Sequence, residues 1–251
     1  MTGPMTVVEQ IPAIGHDEAM DLAAAEYGRV LRLADDLADG DWSRRTDCTD
    51  WDVRDMVGHM LGMLEQQANA AERTRQLEAA GDLASQTGRV PLDEMTALQV
   101  REHARLSSDE LRRSLHDAAP RGLDARRATT GEQRAATFVV ELPGEEPWMF
   151  GYLFDIIYTR DPWMHRIDIS RATGRAIELS PAHDGRLVAD VVADWARRHR
   201  KAFTLTLTGV AGGRYRSGAG GPEVTADAVE FCRILSGRAA ADGLLNTPVP
   251  F

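Results

Sequence analysis

The sequence predicts a mainly α-helical protein: a helical bundle over residues 1–178, then a small α+β domain over residues 179–251. Three observations carry this. Apolar residues recur at helical spacing through most of the first 170 positions. One stretch, "WMFGYLFDIIY", is apolar almost all round, as a helix in the middle of a bundle is. The last 50 residues change to strand-like alternation in "AFTLTLTGV", followed by the glycine-rich "AGGRYRSGAGGPE".

Taken in order, residues 1–15 read as an extended leader. "DEAMDLAAAEYGRVLRLADDLA" is an amphipathic helix over 17–38, with Leu22, Ala25, Val30, Leu31 and Leu33 as candidate core positions. Turn residues in "DGDWSRRTDCTDW" end it. Asp52 with Asp55 has the spacing of a capping box, so a second helix starts at Val53; it is read as running to Ala79. Its apolar stripe is Val53, Met56, Val57, Met60, Leu61 and Leu64. "AAGDLASQTGRVP" reads as a loop. A third helical region covers 92–118 and is broken near Ser107, which with Glu110 forms another cap signal. The polar stretch after it holds one short strand, "TFVVEL". Then come the apolar helix, a linker "TGRAIELSP", and a helix with Leu187, Val188, Val191, Val192 and Trp195 on one side. A strand, the glycine run (read as a hairpin turn), a further short strand and a helix "TADAVEFCRILSGR" close the chain.

Composition narrows the function. The net charge is −10 and the pI about 5.2. Duplex nucleic-acid binding needs a basic surface, so that role is disfavoured, and an anionic membrane would repel the chain. No window approaches the ~20 apolar residues of a membrane span. The N-terminus lacks the basic and apolar regions of a signal peptide. Cys48 and Cys232 form neither a disulfide framework nor a zinc knuckle. The expectation is a cytoplasmic protein.

Of seven histidines, His16, His103, His116, His183 and His199 lie in polar or terminal contexts and read as solvated. His59 and His165 differ. His59 falls at the margin of the apolar stripe of the second helix, next to Gly58, a small residue that lets a neighbouring helix come close. His165 follows Asp161 by four residues, which places both on one helical face. Two imidazoles and one carboxylate make three protein ligands, the count of a catalytic zinc site with an open position, and bundles build such sites from different helices. The same residues also fit a plainer reading, in which Asp161 caps a helix whose first position is Pro162.

"DWSRRTDCTDWDVRDMVGHMLG" resembles the start of the mycothiol-dependent maleylpyruvate isomerase family, with its T-x-C-x-x-W-x-V-R-D turn and histidine-bearing helix. "RDPWMHRIDISRATG" is similar to that family's second signature, an acidic residue upstream of H-R-x-D-I. "GGPEVTADAVEFCRILSGR" and "GLLNTPVPF" resemble its C-terminal domain. The resemblance implies a DinB-like four-helix bundle followed by a sterol-carrier-like domain. It implies a divalent metal, zinc, held by His59, Asp161 and His165, with mycothiol as the thiol cofactor. The acidic ligand is often glutamate in the family's characterised isomerase; here it is aspartate, one methylene shorter, preceding a proline. Asp168 is either a partner that orients His165 or half of a surface ion pair. Arg238 matches an arginine that grips a substrate carboxylate, and otherwise reads as a helix C-terminal cation. Arg73 and Arg75, placed at the far end of the second helix, are further anion contacts to consider. Trp51 reads as packing at the start of the second helix, and Cys48 as structural.

The resemblance thus implies thiolate addition to an activated double bond of a small acid, giving a cis–trans isomerase or a mycothiol S-transferase. Two other readings stand beside it: a non-catalytic carrier of a small ligand, and a hydrolase using metal-bound water.

Overall fold

The computed structural model describes residues 4–142 and 144–251. They divide into two compact units, one of Gly15–Ala176 and one that joins the residues up to Ile14 with Ile177–Phe251. The leader is therefore not loose. Its strand β1 (Met5–Val7) pairs in parallel with a strand of the C-terminal unit, Met5 opposite Arg214.

In the helical unit, α1 (His16–Asp36) buries Met20, Ala23, Tyr27, Val30 and Ala34 together with the charged Glu26. Ala25, expected inside, is exposed, and Leu31 and Leu33 are only half-buried. The buried stripe includes polar residues that an apolar count passes over. Glu26 Oε1 pairs with Arg166 Nε at 2.6 Å, both side chains enclosed. The second helix, α2 (Val53–Ala68), begins where the capping box put it: Asp55 N–H donates to Asp52 Oδ1 and Asp52 N–H to Asp55 Oδ2. All six residues of its apolar stripe are buried.

The expected single helix to Ala79 is instead two. Asn69 leaves helical geometry and its side-chain oxygen accepts from the N–H groups of Ala71 and Glu72, starting α3 (Ala70–Thr87). α3 also overruns the expected loop, ending at left-handed Gly88. α4 (Pro91–His103) and α5 (Ser108–Arg127) are separated just before the Ser107 cap. α5 continues nine residues beyond the predicted end, through Pro120. A short α6 (Gly131–Ala135) precedes the antiparallel hairpin of β2 (Thr137–Leu142) and β3 (Gly144–Met149), so Trp148 and Met149 are in a strand, not a helix. A π-helical segment, Tyr152–Ile157, then feeds α7 (Tyr158–Thr173). α1, α5, α2 and α7 pack as a four-helix ring, and the α3–α4 pair lies against α2.

In the other unit, α8 (Asp184–His199) buries Leu187, Val188, Val191, Val192 and Trp195 as expected. β4 (Phe203–Thr208), β5 (Gly213–Ser217) and β6 (Glu223–Asp227) join β1 in a sheet of order β1-β5-β4-β6. β4 turns Phe203, Leu205 and Leu207 inward. The first part of the glycine run does close a hairpin, between β4 and its antiparallel neighbour β5, with Leu207 opposite Gly213, but its second part, 218–222, does not. The segment 218–222 carries the chain from β5 past β4 to β6, which is parallel to β4. Gly221 sits there at φ +87°, where a Cβ would meet the Ala202 carbonyl oxygen at 2.0 Å. α9 (Ala228–Leu235), capped by Asp227, packs on β4 and α8, and Trp195 stacks edge-on against its Phe231. No helix among the described residues is long and apolar enough to cross a membrane.

Candidate metal centre

His59 projects from the second turn of α2, Asp161 and His165 from successive turns of α7. The structure brings the three together. Asp161 Oδ1 lies 3.5 Å from His59 Nε2 and 3.2 Å from His165 Nε2, and one ligand atom from each residue lies within 4.8 Å of the others. The two rings meet edge-on, centroids 5.1 Å apart. Both histidines are buried, and the Asp161 side chain is 14% exposed.

Asp161 is not a helix cap. It and Pro162 lie inside α7, because the π-helical segment has already started the helix upstream. A proline within a helix removes an N–H and releases the carbonyl four residues earlier. That carbonyl, of Tyr158, accepts instead from Arg126 Nη1 at 3.2 Å. The proline is thereby accommodated, and Asp161 keeps the one-turn spacing to His165.

Behind each ligand ring stands an acceptor. His165 Nδ1 is 3.2 Å from Asp168 Oδ2, a fully buried carboxylate that also takes a 3.9 Å contact from Cys48 Sγ. His59 Nδ1 is 2.8 Å from Gln99 Oε1. The direction of this second bond follows from the network. Gln76 Nε2 faces Glu72 Oε1 and the Gly62 carbonyl, both acceptors, so it must be the amide nitrogen. Gln76 Oε1 therefore accepts from Gln99 Nε2, which turns Gln99 Oε1 toward His59. With the Nδ1 protons so engaged, the Nε2 lone pairs of both rings face Asp161 Oδ1. Three lone-pair bearers around one point need a cation or protons among them, so this donor set fits a metal ion.

Without a cation the group polarises itself. Burial by itself raises the Asp161 carboxyl, but the His165 and His59 imidazoles reverse this and hold it far below the usual carboxylate range. Burial lowers His165, and Asp161, Asp168 and Cys48 together overcome it and raise the imidazole well above its ordinary value.

The indole of Trp51 lies 5.0 Å from the His59 ring and 6.0 Å from that of His165, so it packs on the site itself. Gln99 and Gln76 were not singled out in the sequence. Met95, Gln99 and His103, one turn apart on α4, are all buried, and the polar character of two of them hides that face from an apolar count. His103, read as solvated, is enclosed, with Nδ1 2.7 Å from the Gln99 carbonyl and Nε2 3.1 Å from Glu65 Oε2. His183 is buried as well. Arg238 lies in the C-terminal unit just past α9, where its N–H donates to the Arg233 carbonyl. Arg73 and Arg75 are on α3, not α2; Arg75 is tied to Glu72 and Glu102.

The family model for the mycothiol maleylpyruvate isomerase N-terminal domain matches residues 23–170, more than half of the chain. The chain belongs to this family. Two solved structures are similar to it: the crystal structure of the mycothiol-dependent maleylpyruvate isomerase, and that of a histidine-to-alanine mutant of the same enzyme. Each has a TM-score of 0.61 and 16% identity, covering 94% of this chain and 93% of its own. At that identity the likeness is one of fold. No curated protein matches the chain. The span shared with the mycothiol maleylpyruvate isomerase N-terminal domain family contains His59, Asp161 and His165, while Arg238 falls outside it.

Proposed function

We propose that the chain is a metal- and mycothiol-dependent enzyme that adds a thiolate to an activated double bond of a small acid, with His59, Asp161 and His165 holding the metal. One observation carries the reading: three ligand atoms, two of them from buried histidines, converge, and each imidazole has its Nδ1 proton held by an acceptor behind it. Two nitrogens and one carboxylate oxygen suit zinc and leave it an exchangeable position. Bound there, the metal supplies a site that favours thiolate over thiol.

The chain's own residues do the rest. Gln99 and Asp168 fix the tautomer and the orientation of the two rings. Trp51 packs against both rings and shields them from water. Arg238 is the residue proposed to grip a carboxylate of the substrate through its planar guanidinium. The isomerase reading and the S-transferase reading share the addition and differ in the product released.

The test is elemental analysis of purified protein and of His59→Ala, followed by product analysis with and without mycothiol. Stoichiometric zinc in the wild type, its loss in the variant and thiol-dependent turnover are expected. A wild type that holds no metal, and gains none when zinc is added, sinks the proposal. Turnover without any thiol would select a hydrolase, and unimpaired function in His59→Ala a non-catalytic carrier.

A further inference from the structure

A second cavity in the helical unit is unrelated to the three candidate ligands. It is a cleft of about 490 Å³ beside the α2–α3 junction, the end of α5 and the π-helical segment. That volume lies in the range of small-molecule sites, about 300–1,000 Å³. None of His59, Asp161 and His165 lines it. Its walls are Phe150, Phe154 and Tyr158 with a run of alanines, and its polar groups include Arg73, Arg126 and Gln67.

The charge of this cleft is one-sided. In a chain of net charge −10 it presents two arginines and no carboxylate. Arg126 is 2% exposed. Its Nη1 donates to Tyr27 Oη at 2.7 Å and to the Tyr158 carbonyl, and its Nη2 to Thr159 Oγ1 at 2.9 Å, all neutral acceptors. Its Nε is buried and makes no hydrogen bond. No ion pair neutralises it among the described residues. A guanidinium removed from water without a counter-charge is costly, and an anion beside it offsets that cost. Arg73 also lacks a carboxylate partner among the described residues; its guanidinium lies over the Phe154 ring at 5.6 Å. Gln67 is buried, and its one hydrogen bond among the described residues uses Oε1, which accepts from Tyr27 Oη. Its amide N–H groups remain to be satisfied. The unsatisfied groups are thus all donors, set against aromatic rings.

We propose that this cleft is a binding site for an organic anion: a carboxylate on a flat apolar body, its charge held by Arg73 and Arg126 with Gln67, its body against Phe150, Phe154 and Tyr158. The site stands independently of the metal centre and of the activity proposed for it.

Calorimetric titration of the full chain with sodium benzoate tests this, with benzamide as the neutral isostere. Benzoate is expected to bind wild type and His59→Ala alike, and benzamide at least about tenfold more weakly. Arg73→Gln should weaken benzoate about tenfold, the size of one lost charge-assisted hydrogen bond, and Gln67→Leu several-fold. Arg126→Gln also breaks the bonds to Tyr27 and Tyr158, so the decision rests on the other two variants. Equal affinity for benzoate and benzamide, or benzoate affinity unchanged in both Arg73→Gln and Gln67→Leu, overturns the proposal. So does loss of binding in His59→Ala, which would put the anion at the metal centre, and so does the absence of any binding at tens of millimolar benzoate.

Discussion

The orientation of His59 is decided at the surface of the protein. Glu72, like the Gly62 carbonyl beside it, is an acceptor, and that runs inward through Gln76 and Gln99 to set which nitrogen of the ring carries the proton. Replacing Gln99 with leucine would leave His59 Nδ1 and Gln76 Oε1 without partners. The expected result is a 10- to 100-fold loss of metal affinity, about the measured cost of losing such an outer partner, read by competition against a chromophoric chelator. His103 offers a separate test through pH. Burial lowers its imidazole, while the Glu65 carboxylate and the Gln99 carbonyl more than offset this and raise it. Both partners accept, so the doubly protonated ring is the one that fits. A raised folded-state value gives stability that is complete below the unfolded value of about 6.5 and is lost as pH rises through the folded one. Glu65→Gln should therefore destabilise the protein more at about pH 6 than at about pH 9, measured by urea unfolding at each pH. A constant difference would count against the pair.

At the scale of elements, small residues on α2 set how closely α4 approaches. A Cβ on Gly62 would lie 2.6 Å from Gln99 Cγ, and one on Gly58 3.2 Å from His103 Cβ. Gly62→Ala is expected to cost about 1–3 kcal/mol as overpacking. Gly58→Ala should be near neutral, since the milder crowding is offset by the roughly 1 kcal/mol helix preference of alanine. Chemical denaturation of both variants checks the contrast. The start of α2 and its buried stripe were legible because capping and 3.6-residue periodicity are local physics. The break at Asn69 was missed, since nothing in the apolar pattern marks it. The apolar helix starts later than its pattern suggests because Trp148 and Met149 pair in β3, a non-local choice. Pro162 also fits a first helical position, and the bond from Arg126 to the Tyr158 carbonyl is what lets it sit inside.

Across the whole molecule, the least expected feature is the use of the N-terminal strand. β1 completes a sheet whose other strands lie some two hundred residues later, and Val8 next to it is buried. Removing residues 1–10 should cost at least the burial of Val8, about 1.5–3 kcal/mol, and open the edge of β5. Thermal unfolding of the truncated chain measures it, and an unchanged transition would mean that the pairing contributes nothing. A strand of three residues could not announce such a partner, because strand pairing is a non-local choice.

The sequence by itself determined the helical bundle, the α+β tail, the caps at Asp52 and Ser107 and the one-turn spacing of Asp161 and His165, because periodicity, capping and an i, i+4 spacing are written within a few residues. The tertiary structure decided that α2 and α7 bring His59 within reach of Asp161 and His165. It also decided that Gln99 and Asp168 stand behind the rings, and that two arginines share a cleft with no carboxylate. Those depend on which faces pack together, and burial across separate helices is settled only when the whole chain has folded.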